Sequence, residues 1–457
     1  MGTKTEKKDK IGILKFWAWQ SRAISLGSMT IIYGYLMIYC TNTMGLNAGI
    51  VGTILLVSKV FDGVTDLFAG YLIDNTKTRF GKARPYEFAI LGVWFFTWLL
   101  FTCPPTWSTT LKYIWVFVIY AFVNSILATL LNTNQTAYVV RAFPTMNQIV
   151  KVNSYGGIAV TLGCAVVSML FPQLMGTMAT SPAGWSKMIA IFAIPLALIG
   201  ILRFVFVKET VQVEAESDGK LKVSEMIAVL KKNRYIWFSA ALALLYNATL
   251  GMNATTYYFT YVVGDIGKYT MIAALSMPLL VSMFIFPALM KKIPISRIIM
   301  CGALLGVFGY GINFIAGGNI ALLLFAGALY SLAGLPIAYL SGMIILDCAE
   351  YNQLTGLHRA ESTMSAFSCF GSKVGNGVGS ALLGFVLGAG GFISTENANV
   401  VQPDSAIFTI KLLYSVIPAL MFLIIAALMY FYKLDKVLPK LREEKQAQEA
   451  TVEEAVM

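Results

Sequence analysis

One apolar stretch carries far more ionisable chemistry than its neighbours. In LLVSKVFDGVTDLFAGYLID, Lys59, Asp62 and Asp66 stand at i, i+3 and i+7. A helix puts these three on one face, with Thr65 beside it. Ionisable groups in a lipid-spanning segment are expensive, so each is a functional candidate by default. Two carboxylates and a hydroxyl with no soft ligand suit a hard cation or a transferable proton. Without a cation the carboxylates repel, and one tends to hold a proton. Ion occupancy is thereby coupled to conformation. The alternative is structural: Lys59 pairs with one aspartate and the other faces water.

Further polar groups lie where lipid is expected. Asn124, Thr129, Asn132, Thr133, Asn134, Gln135 and Thr136 form a polar run in another long apolar stretch. That face either lines a cavity or serves as polar contact between helices. Lys373, within SCFGSKVGNGVGS, has to point into a cavity or meet a carboxylate, while the surrounding glycines permit close helix packing. Arg22 is either a functional charge or an interfacial one. The lone His358 falls in a loop and suits a bland surface role.

The elements that position these residues follow from composition. The chain has 457 residues, 57% hydrophobic and only 12% charged, against about 25% charged in soluble proteins. A spanning helix needs about 20 apolar residues. Roughly twelve such segments are predicted, at 16–41, 48–74, 86–104, 111–138, 150–173, 185–207, 236–262, 269–290, 297–316, 319–346, 362–389 and 406–432. The net charge of +11 comes from loops that alternate between basic and nearly uncharged. This is the positive-inside pattern, with both termini cytoplasmic, and it excludes nucleic acid as a partner. The fold expected is an all-α membrane protein of twelve transmembrane helices in two six-helix bundles. Residues 1–207 form one bundle and 236–432 the other, with a linker at 208–235 and a tail at 433–457.

Within the linker, KLKVSEMIAVLKKNR with Ser224 near its start reads either as an amphipathic surface helix or as a plain connection. The tail EEKQAQEATVEEAVM reads as a frayed helix or a disordered segment. The cysteines Cys40, Cys103, Cys164, Cys301, Cys348 and Cys369 are scattered without CxxC spacing, as small buried hydrophobes are. The N-terminus MGTKTEKKDK is too polar for a signal peptide. No HExxH, P-loop or triad spacing is present, which argues against an integral-membrane enzyme.

FDGVTDLFAGYLIDNTKTRFGKARPYEF resembles the second span and following loop of the glycoside–pentoside–hexuronide:cation symporters, whose best-known member is the melibiose permease. GYLIDNTKTRFGKARP is also a variant of the loop motif of major-facilitator transporters. Similar matches are YLMIYCTNTMGLNAGIVGTILLV and LDCAEYNQLTGLHRAESTMSAFSCFGSKVGNGVGSALLGF, so the likeness covers nearly the full length. It implies a major-facilitator fold with alternating access and a cation site of span-two carboxylates and span-four polar groups. Asp62 and Asp66 match the family carboxylates. Thr65 stands where the best-known member has an amide, Thr129 matches a cation-site threonine, and Lys373 a lysine near both sites. Gly70, Asp74, Arg79, Gly81, Lys82 and Arg84 belong to the gating loop, with Asp74 and Arg79 biasing the outward-facing state.

The sugar-binding positions differ. Leu26 and Asn132 replace aspartates, Ser154 an arginine, and Ala338 and Thr136 tryptophans. Aspartates and arginines bond vicinal hydroxyls, and aromatic faces cover a sugar ring. A galactoside is therefore disfavoured, and another glycoside, a uronide or a different small organic solute is expected. The candidates for coupling or substrate contact are Lys59, Asn132, Thr136, Lys373 and Arg22. The expected protein is a monomeric cation-coupled symporter of the plasma membrane. Its partners are a glycoside-like small molecule, Na⁺ or H⁺ and membrane lipids; it has no cofactor and no metal beyond Na⁺. The rival is an uncoupled facilitator.

Overall fold

Backbone in a bilayer has no water to bond to, so it must satisfy its own hydrogen bonds. The computed structural model does this with helices. It describes residues 11–75, 78, 81, 83–210, 230–357, 361–394 and 401–456, with some side chains inside helices undescribed. In chain order the helices are α1 (Ile13–Tyr33), its short continuation α2 (Leu36–Asn42), α3 (Ala48–Asn75), α4 (Ala89–Leu100), α5 (Thr109–Ala121) and α6 (Thr129–Ala142). Next come α7 (Met146–Met178), α8 (Pro182–Phe206), α9 (Tyr235–Met252), α10 (Thr255–Tyr261), α11 (Tyr269–Leu279) and α12 (Phe286–Met290). The last are α13 (Ile295–Ala316), α14 (Ile320–Leu354), α15 (Glu361–Ala389), α16 (Asp404–Tyr414), α17 (Val416–Phe431) and α18 (Leu434–Val456).

Helix occupies all the predicted spans. Among the described residues, 8 helical stretches are long and apolar enough to cross a membrane. The other four positions are also helical. These are the charged α3, the short α4, the glycine-rich α15, and the α11–α12 region, which a 3₁₀ turn at Leu280–Ile285 interrupts. The chain is an all-α membrane protein.

Packing divides the chain into two compact units. The first holds Met1–Glu216, Thr255–Ala273 and Ser380–Thr409; the second holds Ser217–Ala254, Ala274–Gly379 and Ile410–Met457. This cuts across the division expected from sequence at 1–207 and 236–432. One local cause is Asn253, which adopts a left-handed conformation (φ 42°) and ends α9. Asparagine tolerates that conformation better than most residues. The chain then restarts as α10 within the first unit, where Tyr257 OH meets Thr41 Oγ1 at 2.8 Å and Tyr261 OH accepts from Asn42 Nδ2 at 2.6 Å.

In the first unit the turn from Phe143 to Met146 and the ends of α1, α6 and α8 share an aromatic core. Trp19 packs on Tyr138 and Phe143 with ring centroids 5.3 and 5.1 Å apart. We call this the basic-loop end. In the second unit, Gly371, Gly375 and Gly379 of α15 lie against the backbones of Ala240, Leu244 and Ala248 of α9. A spacing of four residues on both helices keeps the two rows in register, and only glycine lets backbones approach so closely.

The amphipathic-helix expectation for the linker, Ser224 included, lies outside the described residues, as does His358. The tail is helical as α18. Asp435 accepts from the Ser296 backbone N–H at 3.1 Å and from its hydroxyl, which caps α13 from outside. Arg442 makes a two-pronged contact with Glu350, both bonds at 2.6 Å. These bonds anchor the start of α18, and the stretch expected to be a frayed helix or disordered is helical as far as Val456.

Candidate functional site

The polar face of α3 meets a widened stretch of its neighbour. Between α5 and α6, Phe122–Ala128 forms a π-helical turn. Such turns add a residue to the helix and recur at functional sites. Here the extra residue leaves the Asn124 carbonyl within 3.2 Å of Thr129 Oγ1, five residues on. The Thr129 hydroxyl also lies 2.8 Å from Asp62 Oδ1. Asp62 is 5% exposed and Thr129 2%. A buried carboxylate, a hydroxyl and a carbonyl oxygen thus converge between α3 and α6.

The rest of the α3 face is tied to the same turn. Lys59 Nζ donates to Asn124 Oδ1 at 3.3 Å and sits 5.6 Å above the Tyr120 ring. Asn124 Nδ2 donates to Tyr120 O at 3.0 Å. Ser125 Oγ bonds Ser58 O at 3.3 Å, which pins the two helices one turn away. Thr65 Oγ1 donates to Asp62 O at 3.0 Å, which leaves its lone pairs as acceptors. Asp66 belongs to α3, but its side chain is outside the described residues. All the described donors are oxygens, so this is a hard-cation donor set. Among the described residues there is no cluster of three or more His, Cys, Asp or Glu that would hold a transition metal.

A second charged group lies at the basic-loop end. Glu87, 0% exposed, stands between two buried arginines: Arg22 Nε is 3.6 Å from one carboxylate oxygen and Arg203 Nη1 3.8 Å from the other. Gln135 Oε1 accepts from both guanidiniums, from Arg203 at 2.6 Å. Arg203 also donates to Trp19 O at 2.8 Å and stacks 3.9 Å from the Trp19 ring. Asn134 Nδ2 donates to Glu87 Oε1 at 3.2 Å and to Ala83 O at 2.8 Å. Arg22 therefore sits in a buried ionic group. Gln135 and Asn134, which read from sequence as cavity lining or interhelical contact, serve that group.

The loop after α3 is organised by an acid that sequence reasoning passed over. Glu209 Oε1 accepts the N–H groups of Ala83 and Arg84 at 2.7 and 2.8 Å. Arg84 Nε donates to Phe204 O at 2.8 Å, and its guanidinium lies over the Phe204 ring. Gly81 has φ +112°, and a Cβ there would meet the Glu209 carboxylate. The loop is thus strapped to the end of α8. Gly70 and Asp74 fall within α3, the latter without a described side chain; Arg79 and Lys82 lie outside the described residues.

The remaining candidates are spread out. Lys373 is half-buried on α15. Two residues from both Gly371 and Gly375, it is about 200° round the helix from the glycine row. Asn132 and Ala338 are exposed, Leu26 is buried, and Thr136 and Ser154 have no described side chains. Glu87 and Arg203 were missed because both sit at predicted span edges, where charge is ordinary. Their one sequence signal is that two opposite charges flank apolar runs that must come together at the same end.

The family model for MFS/sugar transport proteins matches residues 24–436. The chain belongs to this family. The isoprimeverose transporter of Lactiplantibacillus pentosus is 30% identical over 92% of this chain and 89% of its own. The glucuronide carrier protein homolog of Escherichia coli is 26% identical over 88% of each chain. A bacterial homolog of the human lysosomal transporter Spinster shares the fold, with TM-score 0.69 at 12% identity over 94% of this chain and 97% of its own. The likeness to the glycoside–pentoside–hexuronide symporters thus holds across the chain. The protein is a multi-pass membrane transporter of the sugar-transport type with the major-facilitator fold, and not an enzyme.

Proposed function

We propose that this transporter is a cation-coupled symporter, driven by Na⁺ or H⁺, that carries a glycoside, uronide or related small solute by alternating access. The observation that carries the reading is the buried Asp62–Thr129 pair at the π turn. Oxygens suit a hard cation, and one would be held by Asp62, Thr129 and the Asn124 carbonyl. Lys59 tempers the local charge from one turn away. Cation binding neutralises the α3 face and favours substrate binding. By linkage, substrate favours the cation by the same factor. The names of the relatives, one for isoprimeverose and one for a glucuronide, support a glycoside-like substrate. The basic loops support a plasma-membrane protein with both termini in the cytoplasm.

The test is uptake of labelled glycosides and uronides by vesicles with an imposed Na⁺ or proton gradient. Accumulation should require one gradient. Asp62→Asn should abolish accumulation while leaving downhill exchange. Accumulation by Asp62→Asn at the wild-type level, or flux that ignores both gradients, overturns the reading in favour of a facilitator.

A further inference from the structure

At the end of the first unit opposite the basic loops lies a cavity of about 370 Å³ that the cation site does not use. Asp62 is 14 residues along α3 from Ala48, about 21 Å at 1.5 Å per residue. Trp185 is 18 residues along α8 from Arg203, about 27 Å by the same rise. The cavity is therefore remote from both charged groups. Its size is within the range of small-molecule pockets, about 300–1,000 Å³.

Its lining is uncharged and rich in hydroxyls. Thr43, Thr180, Ser181, Thr260 and Tyr261 face it, together with the Asn42 amide. Tyr261 supplies an aromatic face, and Trp185 lies in the wall. Among the described residues no lysine, arginine, aspartate or glutamate lines it. It suits an uncharged ligand that bonds through many hydroxyls and has an apolar ring face.

Trp185 gives the second, independent sign. It is 2% exposed, and its Nε1–H has no hydrogen-bond partner among the described residues. The ring is held rigidly, stacked on Phe101 at 5.6 Å and packed against Tyr39 at 5.2 Å. A buried N–H without an acceptor is costly and calls for an explanation. By contrast Asn42 is fixed by its bond to Tyr261 at 2.6 Å. A rigid frame thus holds one buried N–H without a protein acceptor in the wall of the cavity.

We propose that this cavity is a second sugar site, at the mouth of the first unit and separate from the site of cation coupling. One pyranose ring would lie against Tyr261 with hydroxyls bonding Asn42, Thr43 and Thr180, and a small outward movement of the wall would let one of its oxygens accept from Trp185 Nε1. The site concentrates substrate at the entrance before transport. The inference rests on the sugar-transport reading above.

The experiment uses the full chain in proteoliposomes, with Cys164, Cys301 and Cys369 replaced by serine and Thr180→Cys added. The rate of maleimide alkylation is measured with and without isoprimeverose or methyl β-glucopyranoside, with glycerol as the control. At about ten times the dissociation constant, a ring sugar should slow alkylation about tenfold. Glycerol should not slow it. Adding Trp185→Phe, which keeps a ring against Phe101 and Tyr39 but removes the N–H, should abolish the protection. Sugar uptake by the same vesicles without protection overturns this inference and leaves the transport reading intact. Protection without uptake keeps the site and overturns the transport reading. Neither effect overturns both. Protection that survives Trp185→Phe assigns the slowing to a change elsewhere and overturns the inference.

Discussion

At the scale of single residues, the structure separates two kinds of buried charge. Asp62 has a hydroxyl and a carbonyl oxygen beside it, whereas Glu87 is clasped between Arg22 and Arg203. The first arrangement offers oxygens to the proposed cation; the second joins charges of opposite sign within the protein. Thr129→Val keeps the shape of the side chain and removes the hydroxyl. A hydrogen bond to a charged group contributes roughly 1.5–3 kcal/mol, so the cation concentration for half-maximal uptake should rise about tenfold or more. The cation dependence of initial uptake rates measures this, and an unchanged midpoint excludes Thr129 from the site. Glu87→Gln leaves two guanidiniums buried without their counter-charge. Breaking a buried ion pair costs about 3–5 kcal/mol, so thermal unfolding in detergent should begin at clearly lower temperature. Adding Arg22→Met should restore part of the loss. The α3 carboxylates were legible in the sequence because charge in a long apolar run stands out. Glu87, Arg203 and Glu209 were not, since each sits at a span edge, where nothing in a linear reading says that three edges meet.

At the scale of helices, hydropathy located the spans but not their irregularities. The π turn at Phe122–Ala128, the left-handed Asn253 and the 3₁₀ turn at Leu280–Ile285 occur in sequences as apolar as their neighbours. Hydropathy responds to burial in lipid, and these features arise from packing and backbone geometry. The glycine pattern was more informative. Gly384 of α15 sits against Ala48 of α3, where a Cβ would collide with the Ala48 carbonyl; at Gly52 a Cβ would come within 2.9 Å of Ser380 O. Gly388, one turn further on, faces open space. Gly384→Val should therefore prevent the close approach of α3 and α15 and reduce transport severely, whereas Gly388→Val should leave it near wild type. Equal activity of the two variants would show that transport does not need this contact.

At the scale of the whole molecule, charge distribution and packing divide the labour. The basic residues cluster in alternate loops of a chain whose net charge is +11. The prediction is an inside location for α18. Protease added to right-side-out vesicles should leave a C-terminal tag intact, and the same protease should remove it from inverted vesicles; the reverse result overturns the proposed orientation. The compact units were not legible from hydropathy, because Thr255–Ala273 and Ser380–Thr409 look like ordinary span ends and belong with the first unit only through contacts such as Thr41–Tyr257. That interleaving has a consequence for how the chain is made. A ribosome adds about 5–20 residues per second, so roughly two hundred residues between Glu216 and Thr409 take some 10–40 s to emerge. Helices α1 to α8 must wait in the membrane for that interval with the surfaces for α10 and the end of α15 uncovered. The unit that begins first is completed nearly last, and insertion factors that shield nascent helices would find their client in that interval.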